Sequence, residues 1–407
     1  MSSTSSYQYL SRLENAVKQH ESWRMGECLN MIASENFSSP QTRGMLVTDF
    51  ANRYTAPDKF YRGARFMDEV QALAEEVARK VYSAKFADVR PTSGHAADMA
   101  LLLTLVSRGD KIVSVGLENG GYPGISHVGL GKILGLKNLY FAFDDKSFNI
   151  DAKGTKRLLE LEKPKLLVFG SSFILFPQPV REVSSMVDGE SICVYDGSHV
   201  MGLLAGGDFQ DPLREGCSLL LGSTHKSLPG PQGGLILGNN EEIFERVSSQ
   251  MHPGIIDNVH WNRVAALAMS LLEMMQFGKS YAQAIVKNSQ ALGKGLADRG
   301  VAVKGAASGY SKSHQVLLDC DKAKAELYGK RLEESNIIID NGGRIGTSEA
   351  TRMGMGPAEM DQIAELMVFV IQGKKPSDFT KKKVRSLIKD FKVPRYVLRG
   401  VAETVKE

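Results

Sequence analysis

Lys226 lies in the loop Ser223-Thr224-His225-Lys226-Ser227-Leu228-Pro229-Gly230-Pro231-Gln232-Gly233-Gly234, between two apolar runs, Ser218–Gly222 and Leu235–Gly238. Runs of this length and composition predict short buried strands. The prolines and glycines between them require a tight turn. A lysine ε-amine in such a place can condense with an aldehyde to a Schiff base. Taken alone, Lys226 reads more simply as a loop lysine in water; the reactive reading depends on what the rest of the chain supplies.

If the aldehyde is that of pyridoxal 5'-phosphate, a carboxylate must pair with the pyridinium nitrogen, so that the ring can draw electrons from a carbanion at an amino-acid Cα. Asp196, which ends the apolar run Ile192-Cys193-Val194-Tyr195, is suitably placed. The phosphate needs N–H donors and hydroxyls, which Ser93-Gly94 at the start of a helical stretch, and Ser223, can offer. An amino-acid carboxylate is best held by an arginine fork, and Arg352 and Arg344 are the candidates. Each has a plain structural alternative: a turn cap for Asp196, an N-cap for Ser93, a surface ion pair for either arginine.

The elements that must position these residues follow from the patterning. A helix is predicted over about residues 6–31, where Tyr9, Leu10, Leu13, Val17 and Trp23 recur among charges, and an amphipathic helix from Asp68 to Tyr82. Strands are predicted at Lys111–Val115, Lys137–Phe143, Lys165–Gly170 and Gly189–Asp196, with helical segments between them, among them Asp98–Val106. This alternation predicts an α/β fold, a largely parallel sheet covered by helices on both faces. Ligands of such sheets bind beyond the carboxyl ends of the strands, where Ser172, Asp196, His199 and Lys226 all fall. After about Asn258 the chain reads as two helices, Trp261–Met275 and Ser280–Leu296. A compact α+β module follows, with strands Gln315–Asp319 and Asn336–Asp340 around a helix over Lys322–Ser335, then a helix over Pro357–Gln372. The expected organisation is a helical arm over 1–30, a large domain over 31–280 and a small C-terminal α+β domain over 281–407.

Composition narrows the classes. In 407 residues, 43% are apolar and 24% charged, and the net charge is only +4, so neither nucleic acid nor a membrane surface is implied as a partner. Cys28, Cys193, Cys217 and Cys320 are widely spaced without a CxxC pattern, which fits free thiols in a reducing compartment. The start, Met1–Ser6, is polar and unlike a secretory signal, and no apolar run approaches the ~20 residues of a membrane span. A cytoplasmic protein is expected.

Four stretches in order, Ile32-Ala33-Ser34-Glu35-Asn36-Phe37, Asp196-Gly197-Ser198-His199-Val200-Met201-Gly202, Thr224-His225-Lys226-Ser227-Leu228-Pro229-Gly230-Pro231 and Arg344-Ile345-Gly346-Thr347 with Thr351-Arg352, resemble the serine hydroxymethyltransferase family. The resemblance covers about residues 30–370 and implies the fold-type I pyridoxal-phosphate architecture, with a smaller C-terminal domain. It implies that Lys226, flanked by Thr224 and His225, carries the internal aldimine, that Asp196 pairs with the pyridine nitrogen, and that His199 touches the phenolic oxygen. Ser93 and Gly94, followed by His95, would bind the phosphate, and Ser172 would lie near the cofactor face. Ser34, next to Glu35, and Arg352 would hold the substrate carboxylate. Tyr54 would match a catalytic tyrosine that the partner subunit supplies, which implies at least a homodimer.

The departures from the family pattern concern the transfer step. Ala56 stands where the family has a glutamate that handles the hydroxymethyl group, with Asp58 as a displaced substitute. Tyr122 stands where a histidine stacks on the ring, His95 where the phosphate turn has a second serine, and Pro229 and Gln232 interrupt the Arg-Gly-Pro-Arg signature. The implied activity is serine–glycine interconversion with a tetrahydropterin one-carbon carrier. A pterin-independent threonine or β-hydroxy amino acid aldolase is the near alternative, and a catalytically inactive binding or regulatory homologue the one from another class.

Overall fold

The computed structural model describes residues 6–55, 60–187 and 189–399. The first helix, α1 (Ser6–Gly26), buries none of its residues, and it ends at Gly26 rather than near Met31. The chain then turns into a two-residue strand, β1 (Leu29–Asn30), which pairs in parallel with Ile337–Ile338. This pairing draws Leu29 and Met31 into a core formed otherwise by C-terminal residues. An isolated two-residue strand has no periodicity for a sequence reading to find.

Helix α2 (Arg65–Tyr82) buries Met67, Ala74, Val77, Ala78 and Tyr82, a helical repeat on one face, and ends at Ser83 in the left-handed conformation. The edge strand β2 (Phe86–Asp88) leads into α3 (Gly94–Leu105). This helix starts at Gly94, not Asp98, because Ser93 caps it: its Oγ accepts from Ala96 N at 3.0 Å. Then follow β3 (Lys111–Ser114), β4 (Lys137–Tyr140), β5 (Leu166–Phe169), β6 (Ile192–Asp196), β7 (Leu219–Ser223) and β8 (Gly234–Gly238). The predicted strand over Lys137–Phe143 stops at Tyr140, and Phe143 pairs separately with Ile150.

These strands make one seven-stranded sheet in the order β2-β8-β7-β6-β5-β3-β4. β3 to β7 run parallel, while β8 is antiparallel to both of its neighbours. β5, β7 and β8 are buried along their whole length, as expected of a sheet covered on both faces. The parallel strands deliver their carboxyl ends to one edge of the sheet.

The two helices expected after Asn258 are one, α4 (Trp261–Asp298), of 38 residues and about 57 Å long at 1.5 Å per residue. Gly278, which suggests a break in the sequence, serves packing instead. A Cβ on Gly206 would stand 2.5 Å from the Gly278 carbonyl oxygen, so the two backbones touch. The first half of α4 packs in the sheet core through Val264, Leu267 and Leu271. Its last turns, with Leu292 and Leu296, belong to a second core with Ile345, Met360, Ile363 and Met367. Among the elements beyond α4 are β9 (Gln315–Leu317), β10 (Ile337–Ile338), β11 (Arg344–Gly346), α5 (Ser348–Arg352) and α6 (Pro357–Ile371). β9 and β10 do not pair with each other: β9 is antiparallel to β11, and β10 takes β1. Among the described residues no helix is long and apolar enough to cross a membrane.

Glu349 on α5 closes the seam between the N-terminal segment and the second core, its Oε1 accepting from Asn30 Nδ2 at 2.9 Å. Burial pushes its carboxyl up to about 7; the Asn30 bond and Arg24 oppose the shift, and Glu35 adds to it. A carboxyl raised by folding favours the folded state below its unfolded value and loses that contribution as pH rises through about 7. Wild type should therefore lose roughly 3 kcal/mol relative to Glu349→Gln between pH 4 and 8. Parallel urea unfolding curves of the two proteins over this range check it; parallel pH profiles would contradict it.

Candidate active site

The lysine loop is fixed from three sides. Across its base Thr224 N donates to Gly233 O at 3.1 Å and Gly230 N to Thr224 O at 2.9 Å, while the Thr224 hydroxyl donates to Pro231 O at 2.6 Å. Asn36, from the Ser-Glu-Asn-Phe stretch, donates from Nδ2 to the carbonyls of Lys226 (2.7 Å) and Ser227 (3.2 Å), and Ser38 Oγ donates to Gly230 O at 3.0 Å. From beneath, Gly202 N donates to Ser227 Oγ at 3.0 Å. The backbone of Lys226 is thus held rigidly, with its side chain in a cavity at the carboxyl ends of the strands.

The same cavity is lined by Ser93, Gly94, His95, Tyr122, Ser172, Asp196, His199, Ser223 and His225, all predicted from the sequence, and by Asp98, Ser171 and Ser198. Ser198 is its keystone: its N–H donates to Asp196 Oδ1 at 2.9 Å, and its Oγ accepts from Ser223 N at 3.0 Å. Gly94 leaves a cradle here, since a Cβ on it would meet Ser223 N at 2.9 Å and Ser198 Oγ at 3.0 Å. Ser93, Gly94 and His95 bring the N-terminus of α3 to this cavity, and a helix N-terminus suits a phosphate. Tyr122 and His95 are joined, phenol oxygen to Nδ1 at 3.1 Å. The ring, aldehyde and phosphate of pyridoxal phosphate fit this set: a helix start suited to an anion, a carboxylate and an amine line one cavity, and His225 Nδ1 is buried there without a partner among the described residues.

Burial lowers the Lys226 ammonium from its ordinary value; Asp196 opposes the shift, Arg344 adds to it, and Asp98 opposes it. Burial, and next the charge of Lys226, brings His225 down to about 4. His199 is held well below its ordinary range by burial first, then by Lys226, Arg344, His314 and His225, so its imidazole is neutral.

The tautomer of His199 follows from its neighbours. Gln315 is oriented by backbone partners: its Oε1 accepts from Ile174 N at 2.9 Å and its Nε2 donates to Ser172 O at 3.1 Å. Gln315 Nε2 also lies 3.1 Å from His199 Nδ1 and can only donate to it. His314, stacked on His199 with centroids 5.6 Å apart, donates from Nε2 to Ala33 O at 3.0 Å. Nδ1 of His199 is thus an acceptor, and its proton sits on Nε2. That nitrogen faces Arg344 Nη1 at 3.2 Å, another obligatory donor. Arg344 is steadied by Asp340, Nε to Oδ2 at 2.7 Å, and by Ser172 O, 2.5 Å from Nη1. Two donors thus meet where His199 lines the cavity, and an anionic oxygen placed within reach of both N–H groups would satisfy them.

Other predicted residues are not brought to the cavity. Arg352 is fully buried, its Nη2 on Glu273 Oε2 at 2.5 Å and its Nη1 on Tyr396 O at 2.7 Å. Its fork is consumed inside the protein. Thr224 is buried in the base of the loop, and Glu35 pairs with Arg24 at 2.5 Å. Ser34 follows Ala33, whose carbonyl takes the His314 proton, and does not line the cavity. Tyr54 is exposed, with its hydroxyl on Asp257. Ala56 and Asp58 lie outside the described residues. Sequence reasoning missed Asp98, Ser198, His314 and Gln315. The run Ser311–Gln315, polar and preceding an apolar strand, was the available signal; Ser313, His314 and Gln315 are all fully buried.

One antiparallel strand next to an otherwise parallel sheet, with the lysine on the turn joining it, defines the fold-type I pyridoxal-phosphate transferases. The solved structure of L-threonine transaldolase from Pseudomonas fluorescens shares this fold, with a TM-score of 0.90 and 24% identity over 98% of this chain and 97% of that one. The family model described as serine hydroxymethyltransferase matches residues 10–367. Serine hydroxymethyltransferases of Methanocaldococcus jannaschii and Methanopyrus kandleri are 39% and 37% identical to this chain, each covering 94% of it, and the matches span 94% and 93% of those proteins. The chain belongs to the serine hydroxymethyltransferase family.

The Arg352–Glu273 pair, with both side chains 0% exposed, sets a stability test. Arg352→Met should cost about 3–5 kcal/mol by stranding the Glu273 carboxylate, and Arg352→Met/Glu273→Leu should recover most of it. Denaturant midpoints of the single and double variants read this out; equal midpoints for wild type and Arg352→Met would show that the pair does not form.

Proposed function

We propose that the chain is a pyridoxal-phosphate enzyme acting at Cα of a β-hydroxy amino acid, with serine–glycine hydroxymethyl exchange on a tetrahydropterin carrier as its reaction. The observation that carries this reading is the convergence of Lys226, Asp196, the capped start of α3 and His199 on one cavity, with Arg344 Nη1 against His199 Nε2. Membership of the family, whose relatives are named serine hydroxymethyltransferase, agrees with it.

When bound, pyridoxal phosphate supplies an aldehyde for an amine and an electron sink for charge developing at Cα. Toward it, Lys226 offers an amine whose proton burial weakens, and Asp196 a carboxylate kept in place by Ser198 N–H. Ser93, Gly94 and Ser223 offer hydroxyls and N–H groups to the phosphate, and Tyr122, held by His95, an aromatic face. His199 offers its Nε2 proton to an oxygen. For the substrate carboxylate, the geometry favours Arg344 over Arg352, because Arg344 stands beside His199 whereas Arg352 is committed to Glu273. Tyr54 does not reach the cavity of its own chain, and α1 leaves Tyr7, Leu10, Leu13 and Val17 exposed; both support an active unit of at least two subunits. Ala56, in place of the family glutamate, favours a second reading, aldol cleavage of threonine without a pterin.

Purified protein with pyridoxal phosphate should show a visible absorbance band that Lys226→Ala lacks, and should cleave serine faster with tetrahydropterin than without. A colourless wild type would sink the proposal. Threonine cleavage indifferent to pterin would select the aldolase, and absence of both turnover and glycine α-proton exchange the inactive homologue. Arg344→Lys should raise KM for the amino acid about tenfold or more, through loss of the two-pronged contact, while Arg352→Lys should act mainly on stability. The reverse assignment of the two effects would return the carboxylate to Arg352.

A further inference from the structure

Ser311, Ser313, His314 and Gln315 form a fully buried polar run leading into β9, whose Val316 belongs to the second core. Buried polar side chains are tolerated when they are partnered, so the partners here are informative. Ser313 Oγ accepts from Gln315 N at 3.0 Å and donates to Ile174 O at 2.6 Å, and Ser289 Oγ donates to Ser313 O at 2.7 Å. The pairing of β9 with β11 sets Gln315 opposite Gly346 and Leu317 opposite Arg344. One small sheet thus presents a donor to each nitrogen of His199: Gln315 Nε2 at 3.1 Å from Nδ1, and Arg344 Nη1 at 3.2 Å from Nε2.

Neither donor can turn into an acceptor. The Gln315 amide is fixed by Ile174 N on its Oε1 at 2.9 Å and by Ser172 O on its Nε2 at 3.1 Å. Turned over, it would set N–H against N–H and O against O. Arg344 has no acceptor atom at all. His314 Nε2, whose proton goes to Ala33 O, is a further donor 3.5 Å from His199 Nδ1. Burial, first, and then the charges of Lys226 and Arg344 keep His199 neutral, and a neutral imidazole has a single lone pair. Three donors compete for it, two at Nδ1 and one at Nε2, which places the lone pair on Nδ1. Without Gln315 the balance reverses. Nδ1 keeps only the 3.5 Å neighbour committed to Ala33, while the charged donor Arg344 still faces Nε2.

Resting on the function proposed above, in which His199 offers its Nε2 proton to an oxygen, we infer that Gln315 is the positioning residue that holds this proton on Nε2. It is not among the residues lining the cavity and acts through His199. The second core thereby decides, through one amide on β9, whether the histidine of the first cavity is a donor or an acceptor beside Arg344.

The test reads the tautomer directly, by NMR of the full-length protein labelled at the histidine nitrogens, with and without pyridoxal phosphate. The His199 signals, identified by their absence in His199→Asn, should show the N–H on Nε2. In Gln315→Leu, which has similar volume and no donor, the N–H should move to Nδ1. Gln315→Glu keeps an acceptor for Ile174 N and sets an acceptor where the donor stood, so the N–H should be found on Nδ1 there too; this variant decides if Gln315→Leu does not fold. A wild type with its proton on Nδ1 overturns the inference. So does a folded Gln315→Leu that keeps the proton on Nε2 and is merely lower in Tm, the result expected of a purely structural glutamine. Absorbance titration gives a second readout: Kd for pyridoxal phosphate should rise about tenfold in Gln315→Leu, the loss of one hydrogen bond to a buried oxygen. A moved proton with an unchanged Kd overturns the role of Gln315 in the site. A wild type that binds no pyridoxal phosphate refutes the proposed function instead, and the tautomer comparison still reports on Gln315.

Discussion

The site depends on the contact between the ends of β6 and β7, made by Ser198. Its backbone N–H orients Asp196, and its hydroxyl oxygen takes the N–H of Ser223, the last residue before the lysine loop. Two close approaches depend on the same contact. A Cβ on Gly222 would stand 2.7 Å from Ser198 N, and one on Gly94 would stand 2.9 Å from Ser223 N. A carboxylate, a helix start and a lysine loop from three distant parts of the chain are therefore registered against one another by a single residue. The sheet supplies the scaffold, but this contact sets the distances that chemistry would require.

The cavity is built mostly from donors and neutral rings. His199, His225 and His314 are all kept uncharged by burial, and Lys226 is lowered by the same cause. Arg344 stands beside His199, anchored on Asp340 and Ser172 O. Low polarity around fixed donors makes each one act more strongly on an incoming anion than it would in water.

Much of this was legible in the chain. The strand ends around Ser172, Asp196 and Lys226 are marked by apolar runs that stop at small or charged residues, which is a local signal. The cap at Ser93 was visible as a competing reading of the phosphate turn, and the structure has Ser93 both capping α3 and lining the cavity. Which arginine stands beside His199 was not legible. Arg344 leads β11 and Arg352 ends α5, and only the pairing of β11 with β9 and the burial of Glu273 separate their surroundings. Gly278 misled for a similar reason: a helix-breaking residue and a packing residue look alike until the partner backbone at Gly206 is known. Pairings between two-residue strands, such as β1 with β10, leave no pattern at all.

Helix α4 has a consequence for how the molecule comes apart. Its N-terminal half is clad by the sheet core and its C-terminal end by the second core. Opening either core strips one end of a continuous hydrogen-bonded rod and exposes apolar side chains that nothing else covers. The two cores are therefore tied through one helix, and hydrogen exchange along α4 should follow collective unfolding more than local fraying. The lysine loop, braced by Asn36 against Tyr281 in the middle of that helix, inherits the protection of both.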